Sequence, residues 1–140
     1  MPSLANGGAE KVMTTLLNNM DLSIFKPILL LLDRRGNYLK DLRKEIIVED
    51  LGGVRVSRSL PKLVTWIRHH KPNVVLSSLS HLNLALGAIK PLLPRSTKVV
   101  VRESSIPSIH TKTDRKGKIM FGLYKHFYNN VDAVICQCEF

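Results

Sequence analysis

The chain has 140 residues, of which 44% are hydrophobic and 23% charged, and this size and composition are those of one folded domain rather than of a disordered or collagen-like chain. Twenty-one Lys and Arg stand against eleven Asp and Glu, for a formal charge of +10. That charge favours an anionic neighbour, such as nucleic acid, a membrane surface or a phosphorylated small molecule, without deciding among them.

The two cysteines, Cys136 and Cys138, are too few for a disulfide framework and lack the second ligand pair of a zinc site. We therefore expect reduced thiols and no metal. The sequence contains neither a secretory signal pattern nor an apolar run of about 18 residues, the length that a membrane-spanning helix needs. These features predict a cytoplasmic protein that does not span a membrane.

Apolar runs rich in β-branched residues alternate along the chain with segments of helical periodicity. In chain order the pattern predicts a helix at 9–20, a strand at 27–32, a helix at 38–44, a strand at 45–48, a helix from an N-cap at Ser59 to the residue before Pro72, a strand at 73–76, a helix at 82–89, a strand at 98–101, a helix at 117–129 and a strand at 132–135. The predicted strands are almost continuously apolar, without alternation, which is typical of a parallel sheet covered on both faces. The sequence therefore predicts an α/β fold with a Rossmann-like, doubly wound, mostly parallel sheet and helices on both faces.

A pair of glycines, Gly7 and Gly8, comes directly before the first predicted helix. Amides at a helix N-terminus, together with the helix dipole, favour an anion, so a diphosphate would fit there. A strand-to-helix turn that needs a positive φ explains the pair equally well. The spacing is not the GxGxxG of a dinucleotide site, so no cofactor of that kind is expected. Since only a few residues precede the pair, we expect the first strand of the sheet to be largely missing.

Four stretches that together span nearly the whole chain occur in a fixed order: PSLANGGAEKV at 2–12, HHKPNVVLSSLSHLN at 69–83, KVVVRESSIPS at 98–108 and YNNVDAVICQCEF at 128–140. This ordered set resembles the N-terminal domain of family-4 retaining glycosyltransferases, which have the GT-B fold of two Rossmann-like domains. The resemblance implies that residues 1–140 form one acceptor-side domain, truncated at both ends, and that the C-terminal donor-binding domain is absent.

The resemblance also implies an activity: transfer of a sugar, with retention, from a nucleotide-sugar donor to a glycan or lipid-linked acceptor in surface-polysaccharide synthesis. No cofactor or essential metal is implied. The missing C-terminal domain, or a separate subunit in its place, would supply the residues that grip the donor, so we expect the chain alone to be inactive.

The site residues follow from the same resemblance, position by position. Gly7 and Gly8 would face the donor diphosphate or the transferring sugar, and Arg102 and Glu103 would be catalytic. Glu103 lies where many relatives carry a histidine, which leaves its role open. The acceptor-side candidates are His81, Asn83 and Ser104. A structural ion pair between Arg102 and Glu103, and a solvent-exposed His81, are the alternatives.

Basic residues collect in the amphipathic stretch 112–127. The membrane-contact candidates are Lys112, Arg115, Lys116 and Lys118, which would hold the protein on the inner face of the plasma membrane. A core-facing helix with a solvated basic face explains the pattern as well. A second hypothesis for the whole chain is a non-catalytic basic module that binds a membrane, nucleic acid or a partner subunit. Nucleic acid is the least favoured of these, because aromatic and basic residues are not interleaved.

Overall fold

The computed structural model describes residues 1–5, 7–53, 55–103 and 115–136, and of residues 115–120 it describes the backbone alone. The strands are β1 (Ile28–Leu31), β2 (Ile47–Asp50), β3 (Val74–Ser77), β4 (Lys98–Glu103) and β5 (Ala133–Cys136). They form two sheets in the described part of the chain, one in the order β1-β2 and one in the order β3-β4-β5, and every pairing is parallel. The predicted α/β fold with parallel, Rossmann-like strand pairing is confirmed.

The helices alternate with these strands. The α-helices are α1 (Gly8–Asn18), α2 (Val56–His70), α3 (Ser80–Ile89) and α4 (Arg115–Tyr128), and two short 3-10 helices lie at Asn37–Asp41 and Lys90–Leu92. None of the helices that the structure describes is long and apolar enough to cross a membrane.

Two of the predicted helices differ from the observed ones. The prediction of an N-cap at Ser59 is wrong: α2 begins at Val56, and the buried Ser59 hydroxyl donates a hydrogen bond to the Arg55 carbonyl at 3.0 Å. A cap would accept from an amide ahead of it, whereas this hydroxyl bonds backwards as a residue inside a helix does. The helix predicted at 38–44 is a 3-10 turn that ends at Asp41, because Leu42 has extended backbone angles.

The chain divides into two compact units, Met1–Lys62 and Leu63–Phe140, with the boundary inside α2. In the first unit, the residues before α1 run beside the end of β1. The Leu32 amide donates to the Met1 carbonyl at 3.0 Å, and the Leu4 amide donates to the Arg35 carbonyl at 2.8 Å. Residues 1–4 therefore continue the parallel hydrogen-bonding pattern, and Leu4 is fully buried.

Gly36 fixes this arrangement from the other side. Its φ of +130° lies in a region that favours glycine, and a Cβ atom placed there would collide with the backbone of Leu4. The Tyr38 amide then donates to the Leu4 carbonyl at 3.3 Å. The close backbone contact with Leu4 explains why the turn after β1 needs a glycine.

In the second unit, β4 is the central strand and its side chains alternate. Val99, Val101 and Glu103 lie on the buried side, while Val100 and Arg102, on the other side, are half-buried. The edge strand β5 leaves Val134 and Ile135 exposed. Helices α3 and α4 pack against each other, and they approach closely at Gly87, where an added Cβ would collide with the Phe127 carbonyl oxygen.

We expect Gly87→Ala to destabilise the protein by about 1–3 kcal/mol, the usual range for overpacking, because the new methyl group meets backbone that cannot rotate away. Gly122→Ala is the matched control. Gly122 also lies in a helix, α4, but nothing is within 4 Å of its Cβ position, so the same change should stabilise by roughly 0.5–1 kcal/mol. Urea unfolding measures both. Equal effects at the two positions would contradict the close packing at Gly87.

Candidate functional site

Glu103 is the last residue of β4, and its carboxylate lies on the buried side of the strand with 8% of the residue exposed. The alternation of side chains along a strand explains this position, because Val99 and Val101 face the same way. A carboxylate removed from water needs hydrogen-bond donors in place of the lost hydration. The site is built from the groups that supply them.

Three side chains from two helices donate to this carboxylate. The Ser80 hydroxyl, at the start of α3, donates to Oε1 at 2.6 Å, and the Tyr128 hydroxyl, at the end of α4, makes a short bond to Oε2. The Asn83 amide, one turn along α3, approaches Oε2 at 3.5 Å. A strand end and two helix ends thus meet at one carboxylate.

Asn83 joins several parts of this cluster and is fully buried. Its Nδ2 donates to the Arg102 carbonyl at 3.0 Å and approaches the Tyr128 hydroxyl at 3.3 Å. Its Oδ1 is buried without a hydrogen-bond partner among the described residues. An unpaired buried oxygen is costly, so Asn83 lowers the stability of the cluster at this atom.

Burial raises the pKa of the Tyr128 phenol well above its ordinary value, and the hydrogen bond to the Glu103 carboxylate raises it further. Burial also raises the pKa of Tyr124, while a hydrogen bond with Ser80 opposes the shift. The two phenols flank the Ser80–Glu103 pair and stay protonated at neutral pH. Among the described residues, the side chains that donate to this buried carboxylate are therefore neutral.

Arg102 is next to Glu103 on β4, so strand alternation turns it to the opposite side of the sheet. Its Nη1 donates to the Ser78 hydroxyl at 2.9 Å, and Ser78 is fully buried directly after β3. This geometry does not support the alternative of an ion pair between Arg102 and Glu103. Arg102 instead presents a guanidinium, anchored at one nitrogen, at the carboxyl ends of β3 and β4.

The structure brings together three of the predicted site residues and separates others. Glu103 and Asn83 share one cluster, and Arg102 contributes its carbonyl to it. His81 is exposed in the first turn of α3. Ser104 and Lys112 lie outside the described residues, and the side chains of Arg115, Lys116 and Lys118 are not described although their backbone begins α4.

Sequence reasoning missed Ser80, Tyr124 and Tyr128. A signal for the tyrosines was available: they are four apart on the apolar stripe of the last predicted helix, and a Tyr hydroxyl that is buried usually finds a partner. Cys136 is free and exposed, while Cys138 lies outside the described residues. Within the described ranges, no group of His, Cys, Asp and Glu side chains could hold a metal ion.

The glycine pair lies in the first unit and forms a helix start. Gly7 is the N-cap of α1 and its carbonyl accepts from the Lys11 amide at 3.1 Å, while Gly8 is exposed with open space around it. The Glu10 carboxylate folds back against Gly7, so that a Cβ on Gly7 would collide with it. The negative charge of this carboxylate interacts favourably with the dipole of α1 at the N-terminus of the helix. The same charge would repel a phosphate that binds at this N-terminus.

The chain matches no protein-family model, no curated protein and no solved structure. The glycosyltransferase resemblance and the site roles that follow from it therefore stay predictions.

We expect Tyr128→Phe to make stability less sensitive to alkaline pH. The Tyr128 pKa in the folded protein is raised above 10.0, so the unfolded chain loses this proton first. The resulting stabilisation is complete below about pH 10 and is lost as the pH rises towards the folded-state pKa. The free energy of unfolding of the unsubstituted protein should fall above that pH, and that of Tyr128→Phe should fall less. In an alkaline titration followed by tyrosinate absorbance, Tyr128→Phe should have one fewer tyrosine with a raised pKa than the unsubstituted protein.

Tyr38→Phe is the control, because it removes one hydroxyl outside the cluster. At neutral pH, Tyr128→Phe should also cost about 1–2 kcal/mol, since Glu103 loses a donor. A Tyr128→Phe protein with the same alkaline loss of stability as Tyr38→Phe would contradict the assigned environment.

We expect Glu10→Gln to strengthen any binding of pyrophosphate at the start of α1. Removing one like charge at short range in water is worth roughly fivefold in affinity. Amide shifts of Gly7 and Gly8 during a pyrophosphate titration report the binding. Glu45→Gln, an exposed position in the same unit, is the control for the change in net charge. If pyrophosphate moves neither glycine amide in Glu10→Gln, the phosphate-binding role of the pair is wrong.

Proposed function

We propose that the chain is part of a glycosyltransferase that moves a sugar from a nucleotide-sugar donor to a glycan or lipid-linked acceptor in surface-polysaccharide synthesis. The observation that carries this proposal is the polar cluster at the carboxyl ends of β3 and β4. Ligands of parallel α/β domains bind outside these strand ends. Arg102, Asn83 and Glu103, the residues that the family resemblance selects, all lie there.

In this proposal the residues of the cluster divide their roles by exposure. Arg102 is the residue that contacts a substrate, because its guanidinium is only partly buried and is held by Ser78 at a single nitrogen. Glu103 is a positioning residue, because its carboxylate is enclosed by donors and anchors the ends of α3 and α4.

Retaining sugar transfer passes through an oxocarbenium-like state with a departing diphosphate, so catalysis depends on stabilising that leaving group. Arg102 is suited to an anionic group on the acceptor side. The groups that grip the donor diphosphate are proposed to come from a C-terminal domain or a separate subunit. The activity of the assembled enzyme would then be that of a hexosyltransferase.

The distribution of charge favours a location on an anionic membrane surface. Residues 1–50 carry seven basic and seven acidic side chains, whereas residues 51–140 carry fourteen and four, so the whole formal charge of +10 belongs to the second part. We therefore propose that the protein is cytoplasmic and peripheral on the inner face of the plasma membrane. The same charge supports the second candidate, a non-catalytic basic module that docks on a membrane or a partner subunit.

Residue-resolved binding tests the acceptor-side role. A water-soluble prenyl-diphosphate sugar, as a probe for a lipid-linked acceptor, should shift the amides of Ser78, Asn83 and Glu103. Arg102→Ala should weaken this binding roughly tenfold, the effect of losing one charge-assisted pair. Arg68→Ala removes an equal charge from an exposed position on α2 and should change it little. The proposal fails if these amides do not move, or if the two variants behave alike.

A further inference from the structure

A second polar cluster lies at the other end of the same sheet, where β4 and β5 begin. Asp132, just before β5, accepts from the Lys90 ammonium at 2.5 Å and from the Lys98 ammonium at 3.1 Å. Its Oδ2 also accepts from the Val99 amide at 2.8 Å. The Lys90 hydrogen bond and the Val99 amide hold the Asp132 pKa well below its ordinary range, so the carboxylate is fully ionised at neutral pH.

A cavity of about 330 Å³ opens beside this cluster. Its walls combine cationic, amide and apolar groups: Lys90, Pro91, Leu93, Pro94, Arg95, Asn130 and Asp132 line it. The volume is near the lower end of small-ligand pockets, roughly 300 Å³. A single ring or a short polar ligand fits such a space.

The local charge is positive despite the carboxylate. Asp132 is matched by two ammonium groups, and Arg95 adds a third cation in the cavity wall. The sequence between Asp50 and Glu103 contains no acidic residue. The segment that carries Arg95 therefore supplies no negative charge to neutralise it. A dianion would bring the cluster close to neutrality.

Hydrogen bonds within the protein already hold one of the cationic donors in the cavity in place before any ligand binds. The Lys90 side chain is 18% exposed, and its Nζ donates to the Thr97 carbonyl at 2.7 Å as well as to Asp132. An ammonium has three protons, so one donor of Lys90 is left for a ligand. The exposed Arg95 provides a planar fork of donors that matches a phosphate.

We infer that this cavity binds a phosphate monoester, with the phosphate between Lys90 and Arg95 and the organic part against Pro91 and Pro94. The dianionic charge of a monoester matches the excess of cations, and the proline rings offer an apolar wall for a sugar or glycerol unit. The inference does not depend on the proposed glycosyltransferase activity, because the cavity is at the amino ends of the strands and Arg102 is at the carboxyl ends.

Binding of glucose 1-phosphate and of inorganic phosphate tests the inference, with glucose as the uncharged comparison. Calorimetry and amide shifts on the full chain should detect both phosphates, with shifts at Arg95, Asn130 and Asp132, and should detect no binding of glucose. Arg95→Ala should weaken the binding roughly tenfold, the effect of one charge-assisted pair, while Arg68→Ala should change it less than about twofold.

Vesicles distinguish a soluble phosphate ester from a lipid headgroup with the same chemistry. Phosphatidylcholine vesicles with and without phosphatidic acid are offered to the unsubstituted protein and to both variants. Binding of glucose 1-phosphate or of phosphatidic acid vesicles supports the site if it weakens in Arg95→Ala but not in Arg68→Ala. The ligand that binds more tightly shows whether the phosphate belongs to a soluble ester or to a lipid headgroup. Equal losses in the two variants, or no binding in either arm, would overturn the inference. Lys90→Gln, which keeps a polar side chain beside Asp132, provides a second variant with the same expected loss.

Discussion

The carboxylate of Glu103 is 8% exposed at the end of β4, where removal from water costs an ion several kcal/mol unless donors replace the lost hydration. Two of its donors are the first residue of α3 and the last residue of α4, Ser80 and Tyr128. Hydrogen bonds to the Glu103 carboxylate therefore connect the end of the central strand to the ends of two helices. Removing either donor would leave a buried carboxylate short of a partner, so the packing and the polar chemistry of this region cannot vary independently.

The two ends of β4 offer different chemistry to a ligand. At the carboxyl end, the described side chains that donate to the buried Glu103 carboxylate are neutral, and Arg102 points to the other side of the sheet. At the amino end, Asp132 is paired with Lys90 and Lys98, and Arg95 adds a third cation in the cavity wall. Both arrangements follow from the same parallel pairing, because β4 hydrogen-bonds to β3 and β5 in register and brings the segments that flank these strands together. One short strand thus positions two separate polar sites.

The sequence predicted each of the strands that the structure describes, because apolar runs are a strong signal in a parallel sheet, but it placed β2 two residues early. It placed the end of β4 two residues early, since Arg102 and Glu103 end the apolar run although the backbone remains extended. The burial of Glu103 was not predictable from hydrophobicity. Its partner Tyr128 is 25 residues away in the sequence, and only the packed helices bring the two together.

Each of the two errors in the predicted helices has its own physical cause. The periodicity at 38–44 resembles a helix, but the chain forms a short 3-10 helix that follows the contact of Gly36 with Leu4 and ends before the extended Leu42. Serine is a common N-cap residue, yet the Ser59 hydroxyl donates a hydrogen bond to the Arg55 carbonyl, four residues earlier in the sequence. The contact of Gly36 with Leu4 joins segments that are far apart in the sequence, so no local pattern contains it, whereas the Ser59 hydrogen bond lies within one helix.

The contact between α3 and α4 has a consequence for sequence variation. The atoms that Gly87 meets are the carbonyl oxygen, the carbonyl carbon and the Cβ of Phe127, which every residue except glycine would also present. Evolution can therefore exchange the side chain at position 127 without losing the approach of the helices. Position 87 has no such freedom: related sequences that keep this helix pair should keep its glycine even where the aromatic ring opposite has been replaced.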